Sequence, residues 1–251
     1  MKKRSQKTLK LVSLFIFLGL IAVATKLWYD EANEIRVTSF VYVDSETTQF
    51  QPQQKEAIQA MTAHTMARTR ELLPELSQAI KFTVEIVDRD LSIVNGVSGR
   101  ADETNEILIS LSSTYPGGLD QAIEDGLAST LFHELHHTVR GWVINDNQFG
   151  PGIDIAAINE GLADVFAEIQ TGQRSHNYPD DADFDAWTKE IMALPKSANY
   201  GEWMFALPDG REAVGYRTGG YLVKRAMQRS GISILELSKL SVEEIYALAG
   251  Y

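Results

Sequence analysis

Residues 133–137 read His-Glu-Leu-His-His within an apolar stretch. Each helical residue turns the chain by about 100°, so His133 and His137 stand about 40° apart on one face, with Glu134 on the side of His137. Two imidazoles one turn apart supply half of a tetrahedral zinc shell, and the acid between them can take a proton from a metal-activated water. The chemistry implied is metal-assisted hydrolysis.

A catalytic zinc takes three protein ligands and keeps one position for water. The arrangement H-E-x-x-H-x-x-G-x-x-H fails here, because Arg140 stands where the glycine belongs and Val143 where the third histidine belongs. His64 and His176 stay open as ligands, although neither has a partner at metal-ligand spacing. Glu160 ranks first. It stands in Asn159-Glu160-Gly161-Leu162-Ala163-Asp164 on a strongly apolar helix, where a buried carboxylate calls for a cation. Asp164, one turn further on, is placed to accept the second ring N–H of a ligand histidine and so fix its tautomer. His136 lies about 60° to the other side of His133 and takes a supporting or cleft-wall place. Glu134-Leu135-His136-His137 is also an E-x-x-H, but di-iron chemistry needs a second copy, and neither His64 nor His176 has a glutamate three residues before it.

These residues need rigid elements beneath them. Apolar Ile123, Leu127, Leu131, Phe132, Leu135 and Val139 recur at three- and four-residue steps and predict one helix over 119–140, with Asp120, Glu124 and Asp125 in its first turns and Arg140 closing it. A second helix is expected over 153–170, capped by Gly172, and a last major one over 215–228, where Gly219 and Gly220 make sense only against a closely packed backbone. Upstream, 39–43, 81–87 and 107–111 read as strands, 52–73 as an amphipathic helix and 102–105 as a polar turn. Asp180, Asp181, Asp183 and Asp185 read as a solvated acidic loop leading into a helix, in preference to a calcium site.

The chain is long enough for one sizeable domain beyond its N-terminal segment. Lys2, Lys3, Arg4, Lys7 and Lys10 precede an uncharged, mostly apolar run over 11–24, the pattern that directs a chain to a translocon. Ala22 and Ala24 offer a cleavage site, whereas Leu27, Trp28 and Tyr29 prolong the run. Residues 1–29 are therefore a signal peptide or an uncleaved membrane anchor, and the bulk of the protein is expected outside the cytoplasm. With no cysteine, disulfides, thiol catalysis and cysteine-ligated zinc are excluded. A net charge of −11, more acidic still without the basic leader, argues against a nucleic-acid partner.

His-Glu-Leu-His-His-Thr-Val-Arg at 133–140, followed by Asn-Glu-Gly-Leu-Ala-Asp at 159–164, resembles a bacterial family of predicted zinc-dependent proteases classed as a domain of unknown function. The wider resemblance is to the gluzincins. It implies His133, His137 and Glu160 as zinc ligands, Glu134 as general base and Asp164 as the acid that orients a histidine. Gly215-Tyr216-Arg217-Thr218-Gly219-Gly220-Tyr221 is similar to a tyrosine-containing segment near the end of that domain. The resemblance implies Tyr216 as oxyanion stabiliser, with Tyr221 and His176 behind it.

The resulting expectation is an exported zinc metallopeptidase over 30–251, of α+β, zincin-like fold. A small twisted sheet stands beside the active-site helix, the C-terminal half is helical, and the cleft lies between these parts. Peptide or protein is the expected partner, with 107–111 as the edge strand that pairs with it. The alternatives are a non-catalytic, membrane-tethered zinc-binding protein of the same fold and a zinc amidase acting on cell wall.

Overall fold

The computed structural model describes residues 38–174, 176–179 and 182–251. The leader or anchor at 1–29 lies outside them, as do Asp180 and Asp181. Among the described residues no helix is long and apolar enough to cross a membrane.

Four strands form one mixed sheet: β1 (Ser39–Val43), β2 (Lys81–Val87), β3 (Val97–Glu103) and β4 (Glu106–Ser112). Their order is β1-β2-β4-β3, with β1, β2 and β4 parallel and β3 antiparallel on the edge. Helix α1 (Pro52–Leu72) makes the crossover from β1 to β2. The alternation foreseen in β2 and β4 is present: Phe82, Val84 and Ile86, then Ile107, Ile109 and Leu111, all buried, form one face of the core.

Two expectations change here. The strand β3 was not foreseen, because Val97-Ser-Gly-Arg-Ala-Asp-Glu carries no apolar alternation; it is held by pairing with β4 across the turn at 104–105. In consequence the 107–111 strand is not an edge. It runs between β2 and β3, with both sides hydrogen-bonded, so it has no free backbone for a peptide.

The helix expected over 119–140 is two helices, α2 (Gly118–Asp125) and α3 (Leu127–Arg140). The break falls at Gly126, where a Cβ would lie 2.5 Å from the carbonyl oxygen of Asn95, so the chain must turn where the β3 approach crowds it. Helix α3 is wedged between two cores. Leu131 and Leu135 pack against the sheet, while Phe132 packs against the C-terminal helices. Each of these side chains contributes about 1.5–3 kcal/mol of burial, which holds the helix in one orientation.

The C-terminal half is helical: α4 (Ile153–Thr171), α5 (Phe184–Met192), α6 (Tyr200–Met204), α7 (Val214–Ser230), α8 (Ile234–Leu237) and α9 (Val242–Ala249). Helix α4 is buried almost all round and ends at Gly172 in the left-handed conformation, as the cap reading required. Asp183 caps α5 by accepting from the Ala186 N–H, and Asp185 binds Arg225 and Tyr221, so these acids serve local structure.

Helices α4 and α7 touch backbone to backbone. A Cβ on Gly219 would lie 1.8 Å from the Ala157 oxygen, whereas one on Gly220 meets nothing within 4 Å. Gly219→Ala is therefore expected to destabilise the fold by about 3 kcal/mol or more, and Gly220→Ala to leave stability unchanged or raise it by about 0.5–1 kcal/mol. Denaturant melts of both variants check the pair; equal midpoints would refute the close approach.

Candidate metal centre

Helix α3 presents His133, Glu134 and His137 toward Glu160 and Asp164 on α4. His133 Nε2 and His137 Nε2 are 2.8 Å apart, and Glu160 Oε2 lies 3.1 Å from each. The two rings stand at 89° to one another. One ligand atom from each of these three residues falls within 4.8 Å of the others. A tetrahedral zinc with bonds of about 2.0–2.1 Å spaces its ligands by about 3.4 Å, so the cluster fits the ion with a small expansion.

The donor chemistry fits as well. His133 Nδ1 lies 3.0 Å from Asp164 Oδ1. The carboxylate can only accept, which assigns the proton to Nδ1 and leaves Nε2 a lone pair facing Glu160. Two nitrogens and a carboxylate oxygen then converge on one point, and a cation satisfies all three. Without one, protons fill the role. Burial opposes charge on His133, but its bonds to Asp164 and Glu160 outweigh that and hold its pKa well above the ordinary value. Burial would also raise the Glu160 carboxyl, yet the facing His137 and His133 carry it well below the usual carboxylate range.

Glu134 stands beside this cluster, almost fully buried. Burial raises its pKa, toward the range in which a general base is effective. The Ala101 backbone N–H holds part of the carboxylate, while Oε2 is buried without a hydrogen-bond partner. Gly99 makes the slot, since a Cβ there would sit 2.4 Å from Glu134 Cγ.

The other expected residues divide. Tyr216 stands near the cluster, where burial first and then the charge of Glu160 raise its pKa well above 10, and the Tyr200 hydroxyl reaches Glu160 Oε1 at 3.4 Å. Tyr221 does not stand there; its hydroxyl binds Asp185. His176 Nε2 is 3.8 Å from Asp164 Oδ2, behind the ligand set, and His64 is exposed on α1. His136 faces away from the cluster. Its Nε2 is 2.8 Å from Ser238 Oγ, so it fastens α3 to the end of α8 and does not line a cleft at the metal. Arg140, expected only as a helix terminator, is buried and ties Asn159 to the carbonyls of Ser238 and Leu240. Burial pushes its pKa down to about 10.

A cavity of about 580 Å³ adjoins the centre through Asp164 and His176, with Tyr178, Arg217, Tyr221 and Arg225 on its walls. It lies within the helical half, not between that half and the sheet.

Two residues at the centre had no place in the sequence reading. Trp142 Nε1 donates to Glu160 Oε1 at 2.8 Å, and Tyr200 reaches the same oxygen from α6. Trp142 carried one signal: it follows Gly141, the glycine that ends α3 in the left-handed conformation and turns the chain back. Tyr200 carried none.

An α+β domain with a buried His-His-Glu cluster on two adjacent helices defines a candidate zinc protein. The chain belongs to the family described as Predicted Zn-dependent protease (DUF2268), whose model matches residues 53–247. That span contains all three candidate zinc ligands. No curated protein and no solved structure matches the chain.

Asp164 supplies a prediction. Asp164→Asn keeps the shape but can offer an N–H to His133 Nδ1, so zinc affinity is expected to fall about 10–100-fold in a chelator-competition titration. Unchanged affinity would show that the tautomer is set elsewhere.

Proposed function

We propose that this protein is an exported zinc metallopeptidase of gluzincin type. The reading is carried by one juxtaposition: a three-residue ligand set beside a buried glutamate that has an unpartnered oxygen. A bound zinc supplies a Lewis acid that polarises the scissile carbonyl and acidifies water.

The chain's own residues do the rest. Glu134, its pKa raised by burial, takes the proton from the attacking water and delivers it to the leaving amine. Asp164 holds His133 in the tautomer that presents Nε2. Tyr216, kept protonated by burial, donates its hydroxyl to the developing oxyanion. Strand β3 is the sheet edge nearest Glu134, with Gly99 against the side chain and the Ala101 N–H on its carboxylate, so this strand positions the base.

Export is supported by the basic and then apolar character of residues 1–24. Cell fractionation with an antibody to the C-terminal half tests it; a cytoplasmic signal sinks it.

The activity test is digestion of a peptide library and of isolated peptidoglycan by the full-length chain, with and without a chelator. Peptide cleavage that the chelator stops and added zinc restores is the expected result. Release of cell-wall amides alone would favour the amidase reading, and bound zinc with no hydrolysis the non-catalytic one.

A further inference from the structure

The two oxygens of Glu160 have separate surroundings. Oε2 faces both histidines at 3.1 Å. Oε1 receives the Trp142 indole N–H at 2.8 Å and the Tyr200 hydroxyl at 3.4 Å. The indole is delivered by the end of the ligand helix itself: Gly141 and Trp142 both donate their backbone N–H to the His137 carbonyl, at 2.9 and 3.1 Å. The reversal at Gly141 needs φ of +75°, and a Cβ there would meet Gln148 at 2.8 Å. Trp142 is then packed against Phe149, with ring centroids 6.2 Å apart, beside the core of α4 and α5. The ring is locked by packing, so its N–H has one direction.

We infer that Trp142 is a positioning residue that makes Glu160 a single-oxygen ligand, with Tyr200 as a weaker second donor to the same atom. The inference rests on the zinc reading of the cluster. A carboxylate can bind a metal through one oxygen or both. An oxygen already bound to a fixed indole N–H is held away from the ion, and the coordination position it would have filled stays open for water. The His-Glu helix therefore ends in its own control over ligand denticity. The Trp142 backbone is tied to the His137 carbonyl, and the third ligand is oriented by the same segment that supplies the first two.

The decisive variant is Trp142→Phe, which keeps an aromatic ring in the packed position and removes only the N–H. In the full-length chain, zinc affinity is expected to fall about 10–100-fold by chelator competition. The visible absorption of the cobalt-substituted variant is expected to weaken, as a second carboxylate oxygen raises the coordination number. A loss of packing alone would leave the cobalt spectrum unmoved. Tyr200→Phe should give the same changes at smaller size. Wild-type affinity together with a wild-type cobalt spectrum in Trp142→Phe overturns the assignment. Failure of the wild-type chain to take up zinc overturns the reading beneath it, which is a different result. Should Trp142→Phe not fold, the indole N–H resonances of the four tryptophans in the wild-type chain decide. One strongly displaced by cobalt and protected from exchange is expected, and none so displaced overturns the inference.

Discussion

Glu134→Gln is expected to keep a full equivalent of zinc and to lose hydrolysis by about 10²–10⁴-fold, the range that a positioned general base contributes. The substitution suits the site. Glutamine has the same shape, so it fits the slot opposite Gly99, where there is no room for an added carbon. Its amide oxygen can still accept the Ala101 N–H that now holds the carboxylate. What disappears is the basic oxygen that has no partner in the fold. Metal analysis and peptide assay on the same preparation give the answer. A variant that retains both zinc and full activity would remove Glu134 from the mechanism.

Removing a ligand is expected to act on the metal itself. His133→Ala, His137→Ala and Glu160→Ala each delete one of three donors and should weaken zinc binding by on the order of 3–5 kcal/mol, a drop of about 10²–10⁴-fold. Activity should vanish with the metal. The stability effects should differ among the three. Glu160→Ala removes a buried charge whose partners are His133, His137 and Trp142, leaving two neutral-capable rings and one indole N–H. Either histidine variant leaves Glu160 buried with less positive charge nearby, which costs more in the metal-free protein. Zinc titrations and thermal melts without metal check both statements. Equal zinc content in wild type and Glu160→Ala would discard α4 as the source of the third ligand.

The foreseen elements are those whose periodicity reports burial directly. Strand β2 and helix α4 begin where the apolar spacing begins, because their buried faces are made of their own side chains. Gly219 was legible for the same reason: a helical glycine is unfavourable unless a neighbour needs the space, and here Ala157 does. Elements stabilised by something other than their own apolar side chains were not legible. Strand β3 is held by β4 and not by apolar alternation, and the break at Gly126 answers a carbonyl from another segment. The misplaced sheet edge followed from the first of these. Tyr200 reaches Glu160 across 40 residues from a short helix with no metal-like spacing. His136 shares a helix turn with two ligands, yet Ser238, 102 residues away, is its partner.

The amino-acid sequence by itself placed His133, Glu134 and His137 on one side of a single helix, because a helix converts spacing into angle without reference to anything outside it. Whether Glu160 met those histidines, which of its oxygens faced them, and that Trp142 held the other were decided only in the tertiary structure. Packing between α3 and α4 is set by side chains and close glycine contacts far apart in the chain, and no local period records such contacts.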